Sequence, residues 1–108
     1  MRLLHVRDSV SVFAALGDET RLQIVARLCK EGPASIVRLS EGFAMSRQAI
    51  TKHLHVLEGA GLVRGSRPGR ESVWELLPER LDVARASLDQ ISAEWDAALG
   101  RLKDFVEK

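Results

Sequence analysis

Cys29 is the only cysteine in the chain, so no internal disulfide can form and no cysteine pair is on hand to hold zinc. No apolar run approaches the roughly 18 residues that a membrane-spanning helix needs. The opening Met1-Arg2-Leu3-Leu4-His5-Val6-Arg7-Asp8 has too short an apolar part for a secretory signal. A reducing, cytoplasmic setting without a membrane partner is therefore expected. Aromatic residues are scarce, and neither a repeat nor a low-complexity segment occurs. No phosphate-cradling glycine loop, Ser-His-Asp set or metal-ligand cluster stands out, so neither an enzyme nor a cofactor is expected.

What is present fits one domain spanning residues 1–108, with a single modest core. The net charge of +1 averages over unlike regions. Between Arg47 and Arg70, Arg47, Lys52, Arg64, Arg67 and Arg70 face Glu58 alone, a local balance of +4. From Pro78 to Lys108 the balance is −2. Positive charge gathers in the middle of the chain, as a local anion-binding surface requires.

The apolar pattern predicts a short helix with Val10, Phe13 and Leu16 on one face, ending at Gly17. Asp18 is a good N-cap for a second helix whose inner set is read as Leu22, Val25, Leu28 and Cys29. That places Cys29 inside, as a buried and inert thiol. Glu31-Gly32-Pro33 stops this helix, and Ser35 caps a short third one with Ile36, Leu39 and Phe43 turned inward. Ser46 then caps a fourth, which Gly59 and Gly61 end. The period next changes from 3.6 to 2: residues 62–67 and 71–76 read as two strands joined at Pro68-Gly69.

From Pro78 onward one long helix of about 28 residues fits. Leu81, Leu88, Trp95 and Leu102 recur every seven positions, as do Ala84, Ile91, Ala98 and Phe105. Such a seam, about 40 Å long at 1.5 Å per residue, outruns the core of a small domain. Part of it is expected to pack on a second copy, aided by the first helix. The expected interface comprises Val10, Phe13, Leu88, Ile91, Trp95 and Leu102, within a dimerisation helix of about 79–106.

At 100° per residue, Arg47, Gln48, Thr51, Lys52 and His55 share an arc of roughly 140° on the fourth helix, apart from Ile50, Leu54 and Leu57. Arginine and glutamine match guanine and adenine edges, threonine meets a thymine methyl, and lysine meets phosphate or guanine. The helix start adds backbone N–H groups and Ser46, which suit a phosphate. Arg67 and Arg70 flank the hairpin turn, where they reach a backbone or minor groove beyond the helix. His53 falls toward the core side of the wheel and is read as structural. A short helix, a tight turn, this helix and a basic hairpin make a winged helix-turn-helix: mainly α, with five helices and a two-stranded wing.

The segments "ALGDETRLQIVARL", "MSRQAITKHLHVLEGAGLV" and "GRESVWEL" resemble those of the arsenic-repressor (ArsR) family of bacterial winged helix-turn-helix regulators. The resemblance covers nearly the whole chain. It implies a homodimeric transcriptional repressor on a palindromic DNA operator, with the helix from Arg47 to Glu58 as recognition helix, the hairpin as wing and the terminal helices as dimer interface. Many members sense metals through Cys-x-Cys in the third helix, but the matching positions here are Ser35 and Val37, neither a soft ligand. The last helix, from Leu81, holds no histidine or cysteine. It is similar instead to that of a subgroup without the metal site, for which the further partner is a small-molecule inducer of undefined identity. Two other readings stay open at this stage: metal or redox sensing through a different site, and a winged-helix module that binds a partner without touching DNA.

Overall fold

The structure is a computed structural model that describes residues 3–66 and 72–107, with side chains from Ser9 onward. Its elements are α1 (Leu3–Leu16), α2 (Glu19–Glu31), β1 (Ala34–Ser35), α3 (Ile36–Ser40), α4 (Arg47–Gly59), β2 (Val63–Ser66), β3 (Val73–Leu76) and α5 (Pro78–Glu107). Three of the helices begin where a short polar side chain satisfies a backbone N–H that the helix leaves unpaired. Asp18 accepts from Arg21 N at 3.0 Å, Ser35 from Arg38 N at 3.2 Å and Ser46 from Ala49 N at 3.1 Å.

The far end of α4 is set by Gly61, whose φ of 75° is a left-handed conformation. Its N–H reaches Glu58 O at 2.9 Å and that of Leu62 reaches Leu57 O at 3.0 Å, the paired closure of a Schellman motif. Gly59, expected to share this task, is simply the last residue of the helix.

The strands form one antiparallel sheet in the order β1-β3-β2. The expected hairpin is there, with Arg64 opposite Glu75 and Gly65 opposite Trp74, but a third strand joins it: Ala34 pairs with Trp74 and Ser35 with Val73. The two-stranded wing thus continues into a three-stranded sheet. Gly65 lies flat on the Trp74 ring, where a Cβ would come within 3.0 Å of Cζ3.

Ile24, Leu39, Ile50, Leu54, Leu57 and Leu62 are fully buried, joined by Val12 and Ala15 from α1, Val63 and Trp74 from the sheet and Ala84 from α5. One expectation about an inward face needs correction. In α2 the inner set is Ile24, Val25 and Leu28; Leu22 is 52% exposed and Cys29 is exposed as well. On the wheel the three buried residues span about 100°, and Leu22 and Cys29 lie beyond its Val25 edge. The burial on which an inert thiol was expected is absent. In α1, Ser9, Val12 and Ala15 face inward and Val10 turns outward. Phe13 and Leu16 pack at the margin of the core.

α1 lies along α5, where the buried hydroxyls of Ser9 and Ser87 are hydrogen-bonded at 2.8 Å. Beyond Ser87, α5 contributes no further fully buried side chain among the described residues. Ile91, Trp95, Leu102 and Phe105 are all exposed, Trp95 by 64% and Phe105 by 78%. The molecule measures 67 × 29 × 20 Å, with a radius of gyration of 18.0 Å, against about 13 Å for a compact domain of this length.

Candidate nucleic-acid interface

α3 and α4 are joined by the turn from Glu41 to Ser46, and α4 packs on α2 and α3 through Ile50, Leu54 and Leu57. The opposite face carries the predicted polar row. Arg47, Gln48, Lys52 and His55 are exposed and Thr51 is half-buried. Thr51 Oγ1 donates to Arg47 O at 2.8 Å.

Intramolecular partners separate these cations from Arg21, Arg27, Arg38 and Arg64. Arg21 donates to Ala15 O and His53, Arg27 to the carbonyls that end α3, Arg38 to Glu31, and Arg64 to Glu75 across the strands. Arg47, Gln48 and Lys52 make no side-chain hydrogen bond or ion pair among the described residues. Arg64, counted in the local positive balance, is neutralised by Glu75 and adds little to an outward field. Arg67, Arg70 and the Pro68-Gly69 turn lie outside the described residues.

His55 differs from the other members of the row. Its Nδ1 lies 3.5 Å from Glu58 Oε1, and its ring meets Trp74 edge-on, with centroids 5.7 Å apart at 77°. The same carboxylate accepts from Gly65 N–H at 3.3 Å. His55, Glu58, Gly65, Ser66, Ser72 and Trp74 line an open groove of about 270 Å³ between α4 and the β2–β3 strand pair. Sequence reasoning missed Glu58 and Trp74 here. The hairpin register that sets Gly65 against Trp74 was the one available signal, and the approach of Glu58 is a tertiary fact.

His53 does sit on the inner side, as expected. Arg21 Nη1 donates to His53 Nδ1 at 3.3 Å, and the ring lies 3.8 Å from Asp18 Oδ2. The N-cap of α2 and the middle of α4 are thereby fastened together. The Arg21 N–H bond holds the Asp18 carboxyl below its usual range, aided by the Arg21 and His53 charges and opposed by desolvation.

An α-α turn presenting an unpaired polar helix, with a hairpin seated against that helix, defines a winged helix-turn-helix protein. A family profile described as a helix-turn-helix domain matches residues 16–66. The HTH-type transcriptional regulator Rv2034 of Mycobacterium tuberculosis is 39% identical over 86% of this chain and 83% of its own. An ArsR-like transcriptional regulator from Rhodococcus sp. RHA1 superposes with a TM-score of 0.74, at 39% identity, covering 93% of each chain. A homodimeric winged helix-turn-helix DNA-binding domain from Mycobacterium bovis, solved by NMR, superposes with a TM-score of 0.64 at 28% identity, covering 82% of this chain and 81% of that one. The chain belongs to the ArsR family of winged helix-turn-helix transcriptional regulators.

Proposed function

We propose that this DNA-binding regulator acts as a homodimeric, sequence-specific repressor of an inverted-repeat operator in the cytoplasm, and that its release does not depend on metal. The observation that carries the reading is the row Arg47, Gln48 and Lys52, exposed and without intramolecular partners on a helix whose other face is fully buried. Arg47 and Gln48 would read base edges, Thr51 a thymine methyl, and His55 a base from its place beside the wing. Lys52, Ser46, Arg67 and Arg70 would hold phosphates. A two-fold dimer would set two copies of α4 in successive major grooves about 34 Å apart. The homodimeric state of the Mycobacterium bovis domain supports the pairing, as does the apolar stripe on α5. Against metal sensing, Ser35 commits its hydroxyl to capping α3, and Val37 is an exposed hydrocarbon.

Selection of bound sequences from random duplex DNA at physiological salt tests this reading. It should return an inverted repeat with half-sites one helical turn apart. Gln48→Ala should relax preference at one position per half-site, at a cost of about 1–3 kcal/mol for a lost bidentate contact. An unchanged selected sequence would remove Gln48 from the reading set, and recovery of no sequence at all would refute the function.

A further inference from the structure

Arg27 lies on α2, away from the polar row, yet its guanidinium is the most heavily engaged side chain near the helix-turn-helix. Nη1 donates to Leu39 O at 3.0 Å and Glu41 O at 2.7 Å, with Arg38 O at 3.4 Å. These carbonyls end α3 and open the turn into α4. No backbone N–H among the described residues reaches the Leu39 or Glu41 oxygen. The same guanidinium stacks on Phe43, 5.1 Å from the ring centroid, and Glu31 Oε2 lies 3.8 Å from Nε. Gly42, at φ 86°, turns the chain around it, and a Cβ there would stand 3.6 Å from Nη2.

α3 has five residues, far below the length at which a helix holds itself in water. Its carboxyl end and the following turn therefore need support from elsewhere, and a planar cation with several donors suits clustered carbonyl oxygens. The turn leads directly to Ser46, Arg47 and Gln48, so its geometry decides where the first reading side chains stand relative to the body of the domain.

We propose that Arg27 is a positioning residue for DNA recognition: it clamps the α3–α4 turn and thereby fixes the amino end of the recognition helix against base edges. The proposal rests on the DNA-binding reading above. A misplaced Arg47 or Gln48 loses base contacts, whereas phosphate contacts of flexible side chains persist. Arg27 therefore governs discrimination between sequences rather than general affinity.

The test compares the wild-type protein with Arg27→Met and Arg27→Lys. Methionine keeps an apolar stem against Phe43, and lysine keeps the charge but loses the fork. Measured quantities are affinity for the selected operator duplex, affinity for a scrambled duplex of equal length, and amide exchange from Glu41 to Ser46. Arg27→Met should lower the operator-to-scrambled ratio about tenfold, equivalent to about 1.4 kcal/mol. Scrambled-duplex affinity should stay unchanged and exchange in the turn should quicken, with Arg27→Lys falling between. An unchanged ratio in a folded Arg27→Met protein overturns the proposal, as does an equal loss on both duplexes. If Arg27→Met does not fold, the Arg27→Lys ratio and exchange decide on the same criteria. A wild-type protein with no preference between duplexes refutes the DNA reading instead, and unaltered turn exchange in Arg27→Met then refutes the clamp by itself.

Discussion

Asp18 joins three tasks in one carboxylate: it caps α2, it faces Arg21, and it lies beside the His53 ring of α4. Because its folded-state pKa is lowered from the ordinary 3.8, the folded protein resists protonation at this position more than the unfolded chain does. The stability this gives is complete above the unfolded value and is lost as pH falls through the lower folded one. Asp18→Asn keeps a capping oxygen and removes the titration. The variant should unfold at lower denaturant than wild type at pH 7, and the gap should narrow as pH falls below about 4. Glu31, whose carboxyl is also lowered, chiefly by its hydrogen bond from Arg38, contributes alike to both proteins and cancels. Urea midpoints at pH 7 and pH 3 check this, and an equal gap at both would show that the Asp18 charge does not contribute.

Among the elements, α5 divides into two parts with different neighbours. Up to Ser87 it gives buried side chains, Ala84 and Ser87, to the interior; from Leu88 onward its large apolar side chains are exposed in the single chain. Replacing Ile91 and Trp95, 48% and 64% exposed, with glutamate should leave helical content intact and convert a dimer into a monomer. Sedimentation reads the outcome, and an undiminished dimer would remove this stripe from the interface. The heptad spacing that exposed this helix is a local signal, as are Asp18, Ser35 and Ser46 at the helix starts, and all of these were legible in the sequence. β1 was not, because two residues carry no period and pair only through the distant β3. The inner face of α2 was read too far toward Leu22 and Cys29, since a wheel fixes relative angles but not where the core lies. In the interface, the composition of the polar row was legible. The contacts of Glu58 with His55 and Gly65, and the reach of Arg27 to the α3 carbonyls, depend on how helices dock and left no pattern along the chain.

At the scale of the whole molecule, net charge is a poor guide to DNA affinity, because several cations around the helix-turn-helix are already paired. On α4 the outward positive charge rests on Arg47 and Lys52, while nearby Arg64 is held by Glu75 and Arg38 by Glu31. An extended body of 67 Å with α5 along one side gives each protomer one such surface, and a dimer presents it twice. Salt dependence can count those copies. Each neutralised phosphate contributes about 0.9 to the slope of log K against log salt on duplex DNA. Lys52→Ala should weaken operator and scrambled duplexes alike, and flatten the slope by about 1.8 if a dimer engages through both protomers. A change of about 0.9 would mean one protomer in contact. A slope that does not move would show that Lys52 touches no phosphate, and would leave Arg47 as the only described cation of α4 facing the duplex.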